Sequence, residues 1–369
     1  MPRPDVDIAI LGGGCAGLSV AVRLAAAGRS LRVVEPRAAY SEDRAWSFWR
    51  TAPDPFEECV RMSWTAWDVT GPGTRVRRSS QNLRYQTVGA GAFYDRAQAL
   101  LDDASGAALS LGTAARELRK TAQGWQIDTA TGAFTAHHVI DTRPPKRVPD
   151  YGQFFLGREI RTDRPVFDPG AVQLMQFRPG RSAGVDFVYI LPYARDLALV
   201  EVTSFAPRSP GREVFETWLA EEIDSLGAGQ HDVLREEHGA LPMQVGFHDP
   251  APDGCIRMGL GGGAARPSTG YAFARIQRQA DLVARALDTG SDRPGPLDGP
   301  FSRFMDRVFL QVIQTMPDRG PALFESLFHN TAPDRLEHFL SGSIHPMDRL
   351  SVMTSLPTVP FLRAALRPA

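Results

Sequence analysis

The feature that most constrains this chain is a glycine turn set between a strand and a helix. Val6-Asp7-Ile8-Ala9-Ile10-Leu11 reads as a short buried strand, and it runs into Gly12-Gly13-Gly14-Cys15-Ala16-Gly17, a G-x-G-x-x-G match at Gly12, Gly14 and Gly17. A helical run follows, with Leu18, Val22 and Leu24 near one face and Gly28 as its C-terminal stop. Each glycine answers a steric need: Gly12 for the tight turn, Gly14 for approach of a pyrophosphate, Gly17 for close helix–strand packing. The pyrophosphate would sit on the free N–H groups at the positive end of the helix. A second strand, Leu31-Arg32-Val33-Val34, ends in Glu35, eighteen residues after Gly17. A carboxylate there accepts hydrogen bonds from an adenosine ribose and disfavours a 2′-phosphate. The order of these parts predicts a dinucleotide cofactor.

The motif alone does not separate FAD from NAD. Its place at the N-terminus fits an FAD protein, in which the adenylate half is built first, and no second G-x-G-x-x-G of similar quality suggests a nicotinamide domain. A later cluster, Gly259-Leu260-Gly261-Gly262-Gly263, follows the strand-like Cys255-Ile256-Arg257-Met258. It is either a backbone approach to the isoalloxazine end of the cofactor or a plain glycine-rich loop.

Charge narrows the partners: 41 basic residues against 42 acidic ones argue against a nucleic-acid surface. Cys15, Cys59 and Cys255 are isolated, without metal or disulfide spacing, which fits a reducing cytoplasm and no bound metal. No signal peptide precedes the first strand and no apolar run approaches eighteen residues. The expectation is a cytoplasmic protein that either stays in solution or rests on a membrane surface; oligomeric state is not legible.

Residues 1–150 and 244–290 read as the cofactor-binding part, 151–243 as an antiparallel-sheet substrate domain, and 291–369 as a helical C-terminal region after a Pro/Gly/Asp-rich linker at 290–300. Within the first part, residues 94–101 look helical, and 124–128 and 139–143 look like strands, the second ending at Asp141 in a turn back to the cofactor. Strands are expected at 171–177, 186–191 and 197–203, and helices at 212–226 and 270–287. Trp46, Trp49, Trp64 and Trp67 crowd one segment, either as packing or as a ring-lined wall beside the cofactor. In the tail, Phe301, Phe304, Val308, Phe309 and Val312 recur at helical spacing, with Phe324, Leu327 and Phe328 beyond; this stripe is either core or a surface that rests on lipid.

One residue breaks the strand pattern. Glu201 sits among Leu199, Val200, Val202 and Thr203, and period two puts it on the face of Leu199 and Thr203. It is either a solvated or arginine-paired strand residue, or a carboxylic acid in an apolar pocket whose raised pKa suits a general acid.

At this point the chain resembles the flavin-dependent lycopene cyclases. Leu191-Pro192-Tyr193 followed by Ala198-Leu199-Val200-Glu201-Val202-Thr203 is similar to their "LP[FY]…ALVE-x-T" signature. In the same order, Asp43-Arg44-Ala45-Trp46-Ser47-Phe48-Trp49 resembles "TW-x-FW", and Gln153-Phe154-Phe155-Leu156-Gly157 resembles "Q-x-F-x-G". Glu237-His238-Gly239-Ala240-Leu241-Pro242-Met243 resembles "E-x-G-x-[IL]-PM", and Arg266-Pro267-Ser268-Thr269-Gly270-Tyr271-Ala272-Phe273 resembles "[HK]PSTGY-x-F". Glu337-His338-Phe339-Leu340 and the run from Leu356 to Phe361 resemble the C-terminal "RFL" and "LP-x-x-x-F" elements.

The resemblance implies an α/β protein with a glutathione-reductase-like FAD-binding Rossmann domain, an inserted antiparallel-sheet domain and a helical C-terminal region. It implies non-redox cyclisation of the ends of lycopene or a related hydrophobic polyene, with reduced FAD as cofactor and NAD(P)H as external reductant. Glu201 becomes the acid/base residue. Gly12, Gly14, Gly17 and Glu35 would hold the adenylate half, with Arg44, Asp141, Gly261, Pro267, Thr269 and Gly270 also on the cofactor side. The chain departs from the pattern at Gln176 (Asp in "LMDF"), His338 (Arg), Arg266 (His or Lys), Ala45 (Thr) and Val202, where some relatives carry a second acid. These departures bear on the substrate more than the fold, and a redox flavoenzyme acting on a polyene or isoprenoid is the alternative.

Overall fold

The computed structural model describes residues 4–50, 52–71, 73–342 and 345–366; positions 1–3, 51, 72, 343–344 and 367–369, which fall within the expected segments, lie outside the described residues. A seven-stranded sheet is built around Val6–Leu11. This strand pairs in parallel with Leu31–Val34 on one side and Gly132–Asp141 on the other. Ala107–Ser110 extends one edge, Gly124–Thr129 and Ala115–Thr121 extend the other, and Cys255–Arg257 joins Gly132–Asp141 in parallel. The strand residues read as a continuous apolar run because both faces are covered. Ile8, Ile10, Leu31 and Val33 pack under the helices Cys15–Ala26, Ala90–Asp102 and Phe273–Asp288, while Ala9, Leu11 and Val34 pack with Trp125, Ile127 and Phe134 on the far side.

The second sheet also has seven strands, in the order His231–Pro242, Gly152–Thr162, Leu197–Ala206, Val185–Pro192, Val172–Phe177, Ala66–Thr70 and Arg75–Ser79. The last two come from inside the segment read as cofactor-binding, so this sheet is not built from residues 151–243 alone. Ala66–Thr70 reaches it through a parallel pairing with Val172–Phe177, a contact between segments about a hundred positions apart that no local pattern announces. Leu197–Ala206 shows the alternation most clearly. Ala198, Val200, Val202 and Ala206 pack under the helix Arg212–Ser225 with Phe215, Trp218 and Leu219, so Leu199, Glu201, Thr203 and Phe205 face the other way.

A three-stranded sheet, Ala45–Trp49, Tyr85–Gly89 and Val60–Trp64, joins the two halves. It divides the tryptophans. Trp49, Trp64 and Trp67 are buried in the core with Tyr85 and the C-terminal helices, which corrects the ring-wall reading for these three. Trp46 alone of the four points to the first core, edge-on to Phe93 at 5.0 Å and tilted over Phe273. Successive strand residues face opposite sides, so Trp46 and Trp49 cannot share one.

The helices Pro300–Thr315, Gly320–Asn330, Pro333–Leu340, Pro346–Ser355 and Thr358–Ala365 close the open face of the second sheet. The apolar tail stripe splits accordingly. Val308, Val312, Phe324, Leu327 and Phe328 are core, whereas Phe301 and Phe304 are exposed. Among the described residues no helix is long and apolar enough to cross a membrane.

This region also buries Glu337 completely, with neither carboxyl oxygen bonded to another described residue. Burial pushes its carboxyl up from 4.5 to about 9. The folded chain therefore holds a proton there that the unfolded chain releases, and stability falls as pH rises through that window by about 1.4 kcal/mol per pH unit for one such group. Glu337→Met should flatten this decline and should melt no lower than the parent at about pH 8. Thermal melts of both proteins from about pH 5 to about pH 9 check it; parallel declines would contradict it.

Candidate active site

One continuous cavity of about 800 Å³ runs from the glycine turn, past the open face of the second sheet, to the C-terminal helices. At its first end, Gly12 adopts φ +98°, a left-handed conformation that requires glycine. A Cβ on Gly17 would overlap the Gly12 carbonyl oxygen, so Gly17 lets the helix sit against the turn. A Cβ on Gly14 meets nothing within 4 Å, because it would project into the cavity. The helix Cys15–Ala26 has no side-chain cap, and Gly14, Cys15 and Ala16 line the space in front of it. Uncapped N–H groups, a helix dipole and an open cradle together suit a pyrophosphate.

Glu35 also lines this end, yet its carboxylate is engaged. It accepts the Gly13 N–H at 2.6 Å, the Arg37 N–H at 3.0 Å and Arg37 Nε at 2.8 Å. Burial pushes its carboxyl up, but these donors outweigh that and hold it below its ordinary range. Glu35 thus braces the glycine turn as well as facing the cavity. Tyr40 helps by donating its hydroxyl to the Gly13 carbonyl at 2.7 Å. Neither contact was visible in the sequence motif.

The other expected cofactor-side residues divide. Arg44, Thr269 and Gly270 line the cavity, as do Gly259 and Leu260 of the later glycine cluster. Gly17, Asp141, Gly261 and Pro267 do not line it. Asp141 accepts from Arg143 at 2.7 Å and from Arg257 at 3.0 Å. A Cβ on Gly261 would overlap the Arg257 guanidinium. The glycine at 261 therefore makes room for an ion-paired arginine rather than for a ring. The segment after Arg266 is anchored from below: Ser268 donates to Asp306 at 2.6 Å, and Arg266 pairs with Asp306 at 3.3 Å and donates to the Phe339 carbonyl. His338, the residue before Phe339, instead lies 3.9 Å from Asp348. Gln176, by contrast, lies outside the cavity lining.

The middle of the cavity holds the candidate acid and its neighbours. Tyr189, Glu201, Gly157 and Glu237 are successive cross-strand neighbours on four adjacent strands. Glu201 is 6% exposed and accepts the Thr203 hydroxyl at 2.8 Å. Burial first, and the nearby Glu237 second, push its carboxyl from 4.5 up to about 8, against the pull of Thr203 and Arg235. Tyr85 and Tyr189 share a hydrogen bond of 2.9 Å, and both line the cavity with Tyr271. Burial lifts all three phenols above their usual range, so they stay neutral. Beyond them the wall is apolar, formed by Leu174, Phe187, Phe205, Phe324, Leu327 and Leu340. A buried carboxyl that favours its protonated form therefore sits in an aromatic-lined space between the glycine-turn end of the cavity and its apolar end.

The lycopene cyclase protein family model matches residues 7–366. The lycopene beta-cyclase of a Paracoccus species is 28% identical, covering 98% of this chain and 96% of its own. Solved structures share the fold. A geranylgeranyl bacteriochlorophyll reductase-like protein from Thermoplasma acidophilum superposes with a TM-score of 0.62 at 14% identity, covering 97% of this chain and 95% of its own. Aklavinone-11 hydroxylase, in a complex with FAD and aklavinone, superposes with a TM-score of 0.59 at 14% identity over 94% of this chain and 72% of its own. With the family model spanning nearly every residue and the signature glutamate facing the cavity, the chain belongs to the lycopene cyclase family.

Proposed function

We propose that this protein cyclises the ends of lycopene or a related linear polyene by proton transfer, with no net redox change. The observation that carries this reading is the buried carboxylic acid Glu201 at the junction of cradle and apolar chamber. An alkene is a weak base, so protonating it needs a positioned acid that stays neutral until it reacts. Glu201 donates its proton to the terminal double bond, leaving a tertiary cation. The neighbouring double bond closes on that cation, and a ring carbon then loses a proton to the Glu201 carboxylate. Substrate and product are isomers, and the enzyme is restored. Thr203 orients the carboxyl, the buried walls exclude water that would trap the cation, and the faces of Tyr85, Tyr189 and Tyr271 favour positive charge between them.

The cofactor that fits the cradle is FAD. Gly12, Gly14 and the first turn of Cys15–Ala26 would hold its pyrophosphate, with Glu35 beside the adenylate half. Bound and reduced, with NAD(P)H as the external source of electrons, it supplies a negative charge that favours the cation. Gly14→Val should keep the parent fold by circular dichroism and purify colourless; a yellow, folded Gly14→Val protein would refute the assigned cradle.

An apolar substrate needs access from lipid. Met347, Leu350 and Met353, and then Val359, Leu362 and Leu366, are exposed at helical spacing on the last two helices. Nearby, Arg349 covers the exposed ring of Phe301 and Arg307 that of Phe304. Peripheral contact through these helices is part of the proposal. The protein should float with anionic liposomes, and the double variant Leu350→Glu/Leu362→Glu should not. Flotation of both, or of neither, contradicts this contact.

For the acid itself, Glu201→Gln keeps size and hydrogen bonding but removes the proton. Turnover should fall by about 10²–10⁴-fold with FAD content unchanged. In the parent, activity should decline as pH rises through about 8, because the protonated form is the active one and is lost there. Near-normal turnover by Glu201→Gln would overturn the assignment.

A further inference from the structure

Glu201 and Glu237 both face Gly157, one from each side, and all three lie on one face of the sheet. Any larger residue at 157 would stand between the two carboxyls. A Cβ there would lie 3.3 Å from Glu201 Cβ and 3.4 Å from its Cγ, so Glu201 already leans over the bare backbone. Both glutamates line the cavity.

Their surroundings are unequal. Glu237 accepts the Ala45 N–H at 2.8 Å and a hydrogen bond from Arg235 Nη1. The Arg235 side chain is 8% exposed and borders Glu159, which Arg61 clamps at 2.6 and 2.8 Å. Among the described residues, Glu201 accepts a side-chain hydrogen bond only from the neutral Thr203 hydroxyl. Burial favours the protonated form of each carboxyl, and two such neighbouring buried groups resist ionising together. The negative charge settles where the guanidinium and the amide are. The other groups near the pair are Tyr189, with Tyr85 and Tyr271 behind it, Tyr193 near Arg235 and Glu237, and Arg44 near Glu237. The tyrosines are neutral and the arginines permanently charged, so Glu237 is the partner that biases the proton.

We propose that Glu237 is the positioning residue of the site: held ionised by Arg235 and the Ala45 amide, and facing Glu201 across the side-chain-free Gly157, it keeps the reactive proton on Glu201. This rests on the reading of Glu201 as the acid. Glu237 does not touch substrate in this account. It sets the protonation state of the residue that does, and Gly157 provides the gap through which the two carboxyls interact.

Glu237→Gln tests it, because the amide oxygen still accepts the Ala45 N–H while the charge is gone. Two readouts are needed in the FAD-loaded protein: the pH profile of turnover, and infrared titration of the protonated-carboxyl band that disappears in Glu201→Gln. In Glu237→Gln the alkaline limb and the band's midpoint should both move down by about one pH unit or more, since a like charge has been removed. Glu237→Asp should keep both close to the parent. If Glu237→Gln does not fold, Gly157→Ala takes its place; its methyl separates the carboxyls and should move both readouts in the same direction by less. An unmoved band and limb, with activity lowered equally at every pH, would overturn the proposal while leaving the acid assignment intact. Full turnover by Glu201→Gln would instead overturn the acid assignment, and the infrared midpoint would still report on the pair.

Discussion

A carboxyl group withdrawn from water and given no cationic partner favours its protonated form, and the architecture around Glu201 depends on that withdrawal. The strand Leu197–Ala206 is covered on both faces, by the helix Arg212–Ser225 on one and by the cavity and C-terminal helices on the other. Only the second covering leaves space, and Glu201 falls on that side by the period of the strand. A doubly covered strand holds the Glu201 carboxyl in place while desolvation favours its neutral form.

The cavity links regions that lie far apart in sequence. The glycine turn belongs to the parallel sheet, the acid to the antiparallel sheet, and much of the apolar wall to the last helices. The three-stranded sheet makes this possible by carrying Trp46 and Ala45 to the cavity while burying Trp49 behind it. Through its N–H, Ala45 also reaches Glu237. One short strand therefore ties the nucleotide end of the cavity to the carboxyl pair.

How much of this is legible in the sequence varies with the range of the interaction. The glycine turn and Glu201 are local signals: a steric pattern of glycines and a lone acid in an alternating strand. The strands at 66–70 and 75–79 carry no comparable signal, because their partners lie far along the chain. In the sequence Glu237 is legible only as part of a motif. It stands in Arg235-Glu236-Glu237-His238, which looks like a solvated charged edge. Period two would have separated Arg235 and Glu237 from Glu236, which instead pairs with Arg158 and Arg212. Glu337 was hidden in the same way by Asp334, Arg335 and His338, since burial of one helix face depends on what packs there. The Arg257 pocket behind Gly261 also depends on a long-range ion pair, which is why that glycine read as a cofactor contact.

The fold alone does not separate proton chemistry from redox chemistry, since reductase-like and hydroxylase structures share it. The separating quantity is the balance of atoms and electrons. Under anaerobic conditions, with FAD reduced once at the start and a linear polyene in excess, the products can be weighed by mass spectrometry while the flavin spectrum is followed. Proton-driven cyclisation by Glu201 predicts many products per flavin, each with the mass of the substrate, and a flavin that remains reduced. A product differing by two hydrogens or an oxygen, or one flavin oxidised for each product formed, would contradict it.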